Sequence, residues 1–295
     1  MKTAIITDTN SGMSPQDAAE HGILLQAMPV IIDGVEYKEH IDLDGRLFYE
    51  KLKNGSEIVT SQPSAGEILD LWKNTLKEYD EIVYIPMSSG LSGSCQSAAM
   101  YAEDFNGRVQ VVNNQRISVT QRQSALDAAA LAEGGASAAE IKRILEETKF
   151  ESHIYIMVDT LTYLKKGGRV TPAAAMIAGV LNLKPILQIQ GEKLDAFSKC
   201  RGINQAKKIM LEAITGHLEQ EFGGLNADPP GAWISIAHTE NAAAAEEFRR
   251  EAAARFPGFD ISLAELPISI ATHIGPGSLA ITCTKVLPGG VQYQR

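Results

Sequence analysis

Cysteine is scarce in this sequence, and its spacing excludes two common ways of stabilising a small fold. The three cysteines, Cys95, Cys200 and Cys283, are far apart and include no Cys-x-x-Cys pair. A disulfide framework requires an even set and a zinc knuckle requires close pairs, so the sequence supports neither. We interpret each cysteine as a small apolar packing residue.

Long hydrophobic runs are missing as well. No stretch of the sequence approaches the roughly 20 apolar residues that are needed to span a bilayer. The amino terminus reaches Asp8 before an apolar run of signal-peptide length develops. We therefore expect a cytoplasmic protein with no stable membrane insertion.

Positive charge is in deficit, since 27 Lys and Arg residues face 36 Asp and Glu residues, for a formal net charge of −9. This excess of negative charge repels polyanions, so a nucleic-acid partner is not expected. The six histidines include neither a His-x-His nor a His-Glu-x-x-His pattern, and we therefore predict no metal site.

The first 150 residues alternate short apolar runs with amphipathic ones, which predicts an α/β fold with an N-terminal three-layer α/β domain. Helix starts are indicated by Ser14-Pro15 and by capping boxes that begin at Ser64 and Ser137. Asp33-Gly34 is typical of a hairpin turn. The expected strands cover residues 4–7, 24–32, 82–85 and 109–112.

The pattern changes near residue 150, where hairpins and long helices begin to alternate. We predict a first domain at residues 1–150 and a second, α+β domain at residues 151–295. A short helix is expected to end at Gly167-Gly168. The other expected elements are strands at residues 154–158, 186–190, 193–197, 233–237, 261–266 and 279–286, and helices at residues 204–222 and 242–256.

Four segments are small, polar and rich in serine, threonine or glycine, and we expect them where strands end. In open α/β sheets, the crevice beyond the carboxyl ends of the strands is the usual ligand site. The segments are residues 8–12, residues 60–64 (the TSQPS box), residues 88–94 (the SSGLSGS loop) and residues 272–278.

The SSGLSGS loop leads into a predicted helix that begins near Cys95, and the free N–H groups at a helix start favour an anion. The loop lacks the Gly-Lys-Ser/Thr ending of a P-loop, and Gly90-Leu91-Ser92-Gly93 is one residue too short for a nucleophile elbow. We therefore interpret the loop as an anion cradle. The alternative is a sharp turn whose serines only cap the helix.

Three further residues are candidates for a site, and each has an ordinary structural alternative. His273 lies between two runs of small residues and is either a functional or a structural histidine. Arg169 follows two glycines that could hold its backbone close to a ligand or partner, and the alternative is a solvated cation. Arg201 is equally ambiguous. The apolar residues 173–181 could line a cavity, although a core helix is the default interpretation.

Taken together and in this order, these segments resemble the DegV family. The matching pieces span nearly the whole chain, and the combination of TSQPS with SSGLSG at this separation is a specific signal. The pieces are Thr7-Asp8-Thr9, the TSQPS box, the SSGLSGS loop, Gly167-Gly168-Arg169-Val170 and His273-Ile274-Gly275-Pro276-Gly277.

The resemblance implies two α/β domains with a fatty acid held between them. It implies that the hydroxyls of Thr60 and Ser92 contact the carboxylate, with Ser61, His273 and Arg169 in the same polar network. The expected ligand is one long-chain fatty acid, such as palmitate, stearate or oleate. No other cofactor and no catalytic residue is expected in this chain.

The resemblance also implies a partner, because proteins of this kind present the acid to a separate ATP-dependent fatty-acid kinase, which makes an acyl phosphate for phospholipid synthesis. We assign Arg201 and Arg169 mainly to docking of that kinase and only secondarily to the ligand, since local cations steer encounter with a partner even on an acidic chain. One departure from the family pattern is Asn113-Asn114-Gln115, where relatives usually carry an Asp-Ser or Asp-Thr pair. This departure bears on the rim of the site and on ligand preference.

Two other classes of function compete with a carrier. An enzyme, either a serine-dependent acyl hydrolase or a small-acid transferase, would use Ser92 and His273. The missing nucleophile elbow and the lack of an identified carboxylate to orient His273 count against it. A sensor of a small anionic metabolite would need no apolar tunnel.

Overall fold

The computed structural model describes residues 1–172, 174 and 183–291. The apolar residues 173–181, which could line a cavity, therefore lie outside the described part of the chain, except for Ala174. The chain divides into two compact units. Unit 1 comprises Met1–Lys149, Pro267–Thr272 and Pro288–Val291, and unit 2 comprises the described residues of Phe150–Leu266 and His273–Leu287.

Unit 1 contains a four-stranded sheet, a three-stranded sheet and the helices that pack on them. Its strands are β1 (Thr3–Asp8), β2 (Ile23–Gln26), β3 (Pro29–Ile32), β4 (Val35–Lys38), β5 (Ile58–Thr60), β6 (Glu81–Ile85) and β7 (Val109–Val111). Its helices are α1 (Pro15–Glu20), α2 (Gly45–Lys53), α3 (Ala65–Thr75), α4 (Ser94–Ala102), α5 (Val119–Glu133) and α6 (Ala138–Glu147).

The four-stranded sheet is parallel throughout, in the order β2-β1-β6-β7. After their first residues, β1 and β6 are buried on both faces, as central strands of a parallel sheet are. On one face, Trp72 of α3 is fully buried and meets Tyr84 of β6 and Phe105 edge-on, with ring centroids 5.4 and 5.5 Å away. The carboxyl ends of β1 and β6 lie at the same edge of this sheet.

The three-stranded sheet is antiparallel, in the order β4-β3-β5. The predicted hairpin turn between β3 and β4 is confirmed, with Asp33 at φ 51° and Gly34 at φ 82°. Two successive left-handed residues form the turn whose twist matches the flanking strands. The sheet ends at Thr60, so the TSQPS box begins as β5 ends.

The expectation of one strand over residues 24–32 is wrong, because the chain leaves one sheet and enters another within that span. β2 pairs with β1 in the four-stranded sheet, whereas β3 pairs with β4 and β5. Between them, the N–H of Met28 donates to the Thr9 hydroxyl at 3.1 Å instead of to a neighbouring strand. Pro29 has no N–H to donate and takes the first position of β3, where a proline is tolerated.

Unit 2 is built on one six-stranded mixed sheet in the order β10-β9-β8-β13-β11-β12. Among the described strands of this sheet, the β11–β12 pair is parallel and the other pairs are antiparallel. The strands are β8 (Ser152–Met157), β9 (Lys184–Ile189), β10 (Asp195–Cys200), β11 (Ala232–His238), β12 (Ile261–Glu265) and β13 (Leu279–Lys285). The described helices are α7 (Thr162–Gly167), α8 (Ile203–Glu221), α9 (Ala242–Arg255) and α10 (Ile268–Ile274), the last of which begins with residues of unit 1.

The two long helices of unit 2 bury an apolar stripe against this sheet. On α8 the stripe is Ala206, Met210, Ile214 and Leu218, spaced by four residues. This spacing keeps one face of a helix against the core. The corresponding residues of α9 are Ala245, Phe248 and Ala252. Both helices begin and end within one residue of the bounds predicted from the sequence.

Two short segments of unit 1 lie within the predicted second domain, residues 151–295. The Ile268 N–H donates to Oε1 of Glu39 at 2.7 Å, and Ile268 packs in a buried apolar cluster that includes Val30 and Phe48. The Val291 N–H donates to Asp127 at 3.2 Å. These contacts, made over more than 160 residues of sequence, place Pro267–Thr272 and Pro288–Val291 with unit 1.

The predicted helix starts at Ser14, Ser64 and Ser137 are confirmed. Each serine accepts the N–H of the residue three positions later, and Ser64 and Ser137 form full capping boxes. Within the described ranges, every helix is too short or too polar to serve as a membrane span.

Candidate functional site

The loop that follows β1 is fixed by the buried carboxyl group of Asp8. Oδ2 accepts the N–H of Met87 at 3.0 Å, and Oδ1 accepts the N–H of Asn10 at 3.0 Å and the side-chain amide of Gln121 at 2.9 Å. Burial raises the pKa of Asp8 above its usual range, although these hydrogen bonds act in the opposite direction. The carboxyl group thus joins the ends of β1 and β6 to helix α5.

The TSQPS box connects β5 to α3. Thr60 is the last residue of β5 and pairs with Val30, while Ser61 is exposed and its N–H donates to the Pro29 carbonyl at 3.3 Å. At the other end, Ser64 caps α3 and exchanges hydrogen bonds with Glu67. The Lys38 ammonium donates to Glu67, and this contact, with those from Ser64, lowers the pKa of Glu67 to about 2. Both ends of the box are therefore held by the surrounding structure.

The SSGLSGS loop begins three residues after β6 and runs into the start of α4. The Ser88 N–H donates to the Arg116 carbonyl at 2.9 Å, and the Ser92 N–H donates to the Ser88 carbonyl at 3.1 Å. The Ser92 hydroxyl oxygen accepts the N–H of Ser94, the first residue of α4, at 3.2 Å. A hydroxyl that accepts from a helix N-terminus still has its own O–H to donate, so Ser92 can donate to an anion.

The TSQPS box and the SSGLSGS loop meet through the side chain of Gln62. The Ser97 hydroxyl, in the first turn of α4, donates to Oε1 of Gln62 at 3.2 Å. A Cβ atom at Gly93 would lie 3.5 Å from the same oxygen, so the loop backbone also packs on Gln62. The structure thus brings the two serine-rich segments of the predicted site together at the amino-terminal end of α4.

In unit 2, Arg169 and His273 lie together around Gly167, the last residue of α7. A Cβ atom at Gly167 would lie only 2.3 Å from Nδ1 of His273, so the missing side chain is what admits the imidazole. The Arg169 guanidinium donates to the Gly167 carbonyl. Burial, and then the charge of Arg169, lower the pKa of His273 to about 4. The imidazole is therefore neutral at physiological pH.

Gly275 is a second position at which a side chain would not fit. Its φ is +74°, and a Cβ atom there would lie 2.3 Å from the ring of Tyr163 in α7. Its carbonyl oxygen accepts the Thr239 hydroxyl at 2.6 Å. The two glycines, Gly167 and Gly275, allow residues 273–275 to pack closely on α7.

The expectation that residues 272–278 follow a strand end is wrong. His273 lies in the last turn of α10, and Ser278 immediately precedes β13. The sequence of α10, Ile268–Ile274, is rich in β-branched residues, which favour strands over helices. The helix forms because its first residues pack in the apolar cluster of unit 1 and because Glu39 accepts the Ile268 N–H.

Two other sequence features also have clear positions. Arg201 is exposed between β10 and α8, where its own N–H donates to Oε1 of Gln205 at 2.8 Å. Asn114 belongs to the Asn113-Asn114-Gln115 segment, which departs from the family pattern. It is buried, and its side-chain amide donates to the Ser124 hydroxyl of α5 at 2.8 Å. Asn114 therefore holds the loop after β7 against α5.

Sequence reasoning missed Glu39 and the group of His153, His217 and Glu221, whose side-chain ligand atoms all lie within 4.8 Å of one another. Glu39 lies between the half-buried Lys38 and the exposed His40, and no pattern in the sequence predicts its burial. His217 and Glu221 do carry one, because they are four residues apart in a predicted helix and so share one face.

Comparison with known proteins identifies relatives along nearly the whole chain. Residues 2–286 match the sequence model of a family described as uncharacterised protein, DegV family. Protein DegV of Bacillus subtilis is 33% identical over 285 residues, which cover 95% of this chain and 98% of that protein. A DegV domain-containing protein of Deinococcus radiodurans is 30% identical over 285 residues, with the same coverage of both chains.

Solved structures give the same result. A DegV family protein of Thermus thermophilus, whose structure is described as showing fatty acid binding, matches with a TM-score of 0.88 and 27% identity over 97% of this chain and 100% of that one. DegV of Bacillus subtilis, described as a fatty acid binding protein, matches with a TM-score of 0.84 and 29% identity at the same coverage. These matches confirm the α/β fold class expected from the sequence.

The buried carboxyl of Glu39 generates a prediction about stability and pH. Burial raises the pKa of Glu39 to about 7 from 4.5, against the hydrogen bonds from the Ile268 N–H and the Thr9 side chain. A raised pKa means that the folded state favours the protonated form of Glu39. The contribution of Glu39 to the unfolding free energy is therefore fully present below pH 4.5 and is lost as the pH rises through 7. We expect Glu39→Gln to remove up to about 3 kcal/mol of this pH dependence of the unfolding free energy.

Urea unfolding at a series of pH values measures this effect as the difference between the parent protein and the variant. Glu36→Gln, at an exposed glutamate of β4, is the matched control. Its unfolding free energy should depend on pH with the same slope as that of the parent protein. Identical slopes for the parent protein and Glu39→Gln would show that Glu39 is ionised in the folded state.

Proposed function

This chain belongs to the DegV family, and from this membership we propose that it binds one long-chain fatty acid and acts as a carrier rather than as an enzyme. The observation that carries the proposal is the meeting of the TSQPS box and the SSGLSGS loop at Gln62. The Ser92 hydroxyl lies at the start of α4, where backbone N–H groups and the helix dipole favour an anion. The solved relatives described as fatty-acid binding support the choice of anion.

We propose that the hydroxyls of Thr60, Ser61 and Ser92 donate to the carboxylate. A carboxylate that leaves water requires hydrogen bonds in return. Neutral hydroxyls supply them without an ion pair, which would hold small competing anions as well. The Ser92 hydroxyl suits this role because its oxygen already accepts the Ser94 N–H and its proton remains for the ligand.

We also assign His273 and Arg169 to recognition of the ligand, as the family relationship implies. The neutral imidazole can donate one N–H to a carboxylate oxygen without forming an ion pair. The Arg169 guanidinium is held against the Gly167 carbonyl, close to the imidazole. The family relationship supports this assignment, in which both residues lie near the ligand carboxylate.

The hydrocarbon tail would supply most of the binding free energy. Each buried methylene contributes about 0.8 kcal/mol, so a sixteen-carbon acid such as palmitate would gain on the order of 10 kcal/mol from full enclosure. Stearate and oleate, with longer chains, would gain slightly more. A small anionic metabolite has no long hydrocarbon tail to bury and gains none of this free energy, so the proposed hydroxyl donors alone would bind it weakly.

A hydrolytic function is a poorer fit to the electrostatics of the site. A serine hydrolase needs a histidine whose pKa lies near the operating pH, so that it can take the serine proton. The pKa of His273 is lowered to about 4 by burial and by Arg169, which makes this imidazole a weak base. This favours a binding role for His273 over a role in an acyl hydrolase or a transferase.

We further propose that the carrier presents the carboxylate to a separate fatty-acid kinase, which forms the acyl phosphate for lipid synthesis. Arg201 is exposed, at the junction between β10 and α8. A cation in such a position can steer the encounter of an acidic chain with a kinase that holds an anionic nucleotide. This role for Arg201 rests on its exposure and on the family relationship.

The identity of the ligand is tested by extraction of lipid from protein purified from cells. Native mass spectrometry should show an adduct of fatty-acid mass, and organic extraction followed by lipid analysis should recover roughly one acid per chain. Palmitate or oleate should also raise the melting temperature, because a ligand that binds only the folded state stabilises it. Repeated absence of lipid with no thermal shift would contradict the carrier, and an adduct of a small polar metabolite would favour a sensor.

Loss of a hydroxyl at the proposed carboxylate site should weaken binding while leaving the fold intact. A hydrogen bond to a charged group contributes about 1.5–3 kcal/mol, so Ser92→Ala and Thr60→Val should each weaken fatty-acid affinity by roughly 10- to 100-fold. Titration with a fluorescent fatty acid measures the affinity, and circular dichroism checks the fold. Ser262→Ala, which removes an exposed hydroxyl bonded to Ser235 in unit 2, is the matched control. Parental affinity in both Ser92→Ala and Thr60→Val would place the carboxylate elsewhere.

Arg201→Ala should leave fatty-acid binding nearly unchanged but slow acyl-phosphate formation when a cognate kinase is supplied. The loss should be largest at low carrier concentration, because steering affects encounter more than the chemical step. Kinase assays over a range of carrier concentrations measure it. Arg250→Ala, which removes an exposed arginine of α9, is the control. If turnover with Arg201→Ala matches that of the control at every concentration, Arg201 does not belong to the interface.

A further inference from the structure

A second group of polar side chains in unit 2 lies outside the proposed lipid site. His153 of β8 and His217 and Glu221 of α8 converge on one point. Nε2 of His153 is 2.9 Å from Oε2 of Glu221, and Nδ1 of His217 is 2.6 Å from Oε1 of the same carboxylate. Two imidazoles therefore share one carboxylate.

The positions of these side chains follow from the packing of α8 on β8. His217 and Glu221 are four residues apart and lie on the same face of the helix. His153 is buried, with 3% of its side chain exposed, and its ring stacks on that of His217 with centroids 3.5 Å apart and planes at 12°. Because a strand and a long helix hold these residues, the cluster has the rigid support that metal sites require.

We propose that His153, His217 and Glu221 bind a divalent zinc ion. Two imidazole nitrogens and one carboxylate are a common donor set for Zn²⁺ with an open fourth position. Donor atoms around four-coordinate zinc lie roughly 3.3 Å apart, and the ligand atoms of this cluster all lie within 4.8 Å of one another. Glu221 is 39% exposed, so the ion and a water ligand can reach the site from solvent.

Tyr155 supplies the hydrogen bond that orients one of the ligands. Its hydroxyl lies 2.7 Å from Nε2 of His217, on the side of the ring opposite Nδ1. When Nε2 carries the ring proton and donates it to Tyr155, the lone pair of Nδ1 is available to the metal. Partners of this kind fix the tautomer of a ligand histidine and strengthen metal binding.

The ion would connect β8, in the middle of the sheet, to the C-terminal turn of α8. Two neutral imidazoles and one carboxylate would leave a charge of +1 on the complex, which the acidic chain as a whole favours. Zinc would therefore act as a clamp within unit 2. This inference is independent of the lipid site, since none of its residues takes part in the proposed carboxylate network.

The test is a titration of full-length protein, free of any histidine tag, with zinc chloride in competition with a chromophoric chelator. We expect one zinc ion per chain and a melting temperature that rises with zinc concentration. Cobalt(II) should give the visible absorption of a four-coordinate ion with nitrogen and oxygen ligands. Glu221→Gln, at an exposed position, should weaken zinc affinity by about tenfold or more without loss of the fold, and His217→Gln should do the same.

Two further variants make the result specific. Tyr155→Phe keeps all three ligands and should weaken zinc binding by roughly 10-fold. His21→Gln is the matched control, because His21 also pairs with a carboxylate four residues away, Asp17, but has no second imidazole. The inference is overturned if the parent protein binds no zinc at micromolar concentration, if Glu221→Gln and His217→Gln bind zinc like the parent, or if His21→Gln removes the binding.

Discussion

The buried carboxyl of Asp8, hydrogen-bonded by N–H groups from three parts of unit 1, determines where the SSGLSGS loop begins. The Met87 N–H that it accepts belongs to the residue just before the SSGLSGS loop, so the loop leaves β6 at a fixed point. The Gln121 amide that binds Asp8 also donates to the Thr7 hydroxyl and to the Ile85 carbonyl, each at 3.1 Å. One carboxyl and one amide therefore hold the ends of β1 and β6 against α5, and the starting points of the loops that follow β1 and β6 depend on this junction.

The acidic groups near these loops are used for structure, and the carboxylate site that we propose beside them consists mainly of neutral hydroxyl donors. Asp8 and Glu39 both accept backbone N–H groups in the interior, and Glu67 accepts from Lys38 and Ser64 at the start of α3. Ser92 instead has a hydroxyl proton to donate at the start of α4. In the proposed site, hydroxyls and a helix start would contribute little selectivity among anions, so the group attached to the carboxylate would decide which ligand binds.

Local rules predicted much of this fold, and the failures occurred where long-range contacts override them. The capping boxes at Ser64 and Ser137 and the bounds of α8 and α9 depend on neighbouring residues, and a single sequence shows them. The separation of β2 from β3 depends instead on the Thr9 hydroxyl, and the helix at Ile268–Ile274 depends on Glu39. Such contacts leave no periodic signal. For the site, motifs predicted that the two serine-rich segments belong together, whereas the pairing of His153 with residues of α8 required the fold.

The distribution of tryptophan makes each unit optically distinct. The chain has two tryptophans, and they fall in different units: Trp72 is fully buried in the apolar core of unit 1, and Trp233 lies partly buried on β11 of unit 2. Replacing either one by phenylalanine leaves a single emitter that reports on the other unit alone. Intrinsic fluorescence can therefore follow the loss of structure in each unit separately, and comparison of the two transitions tells whether the units unfold in one cooperative step.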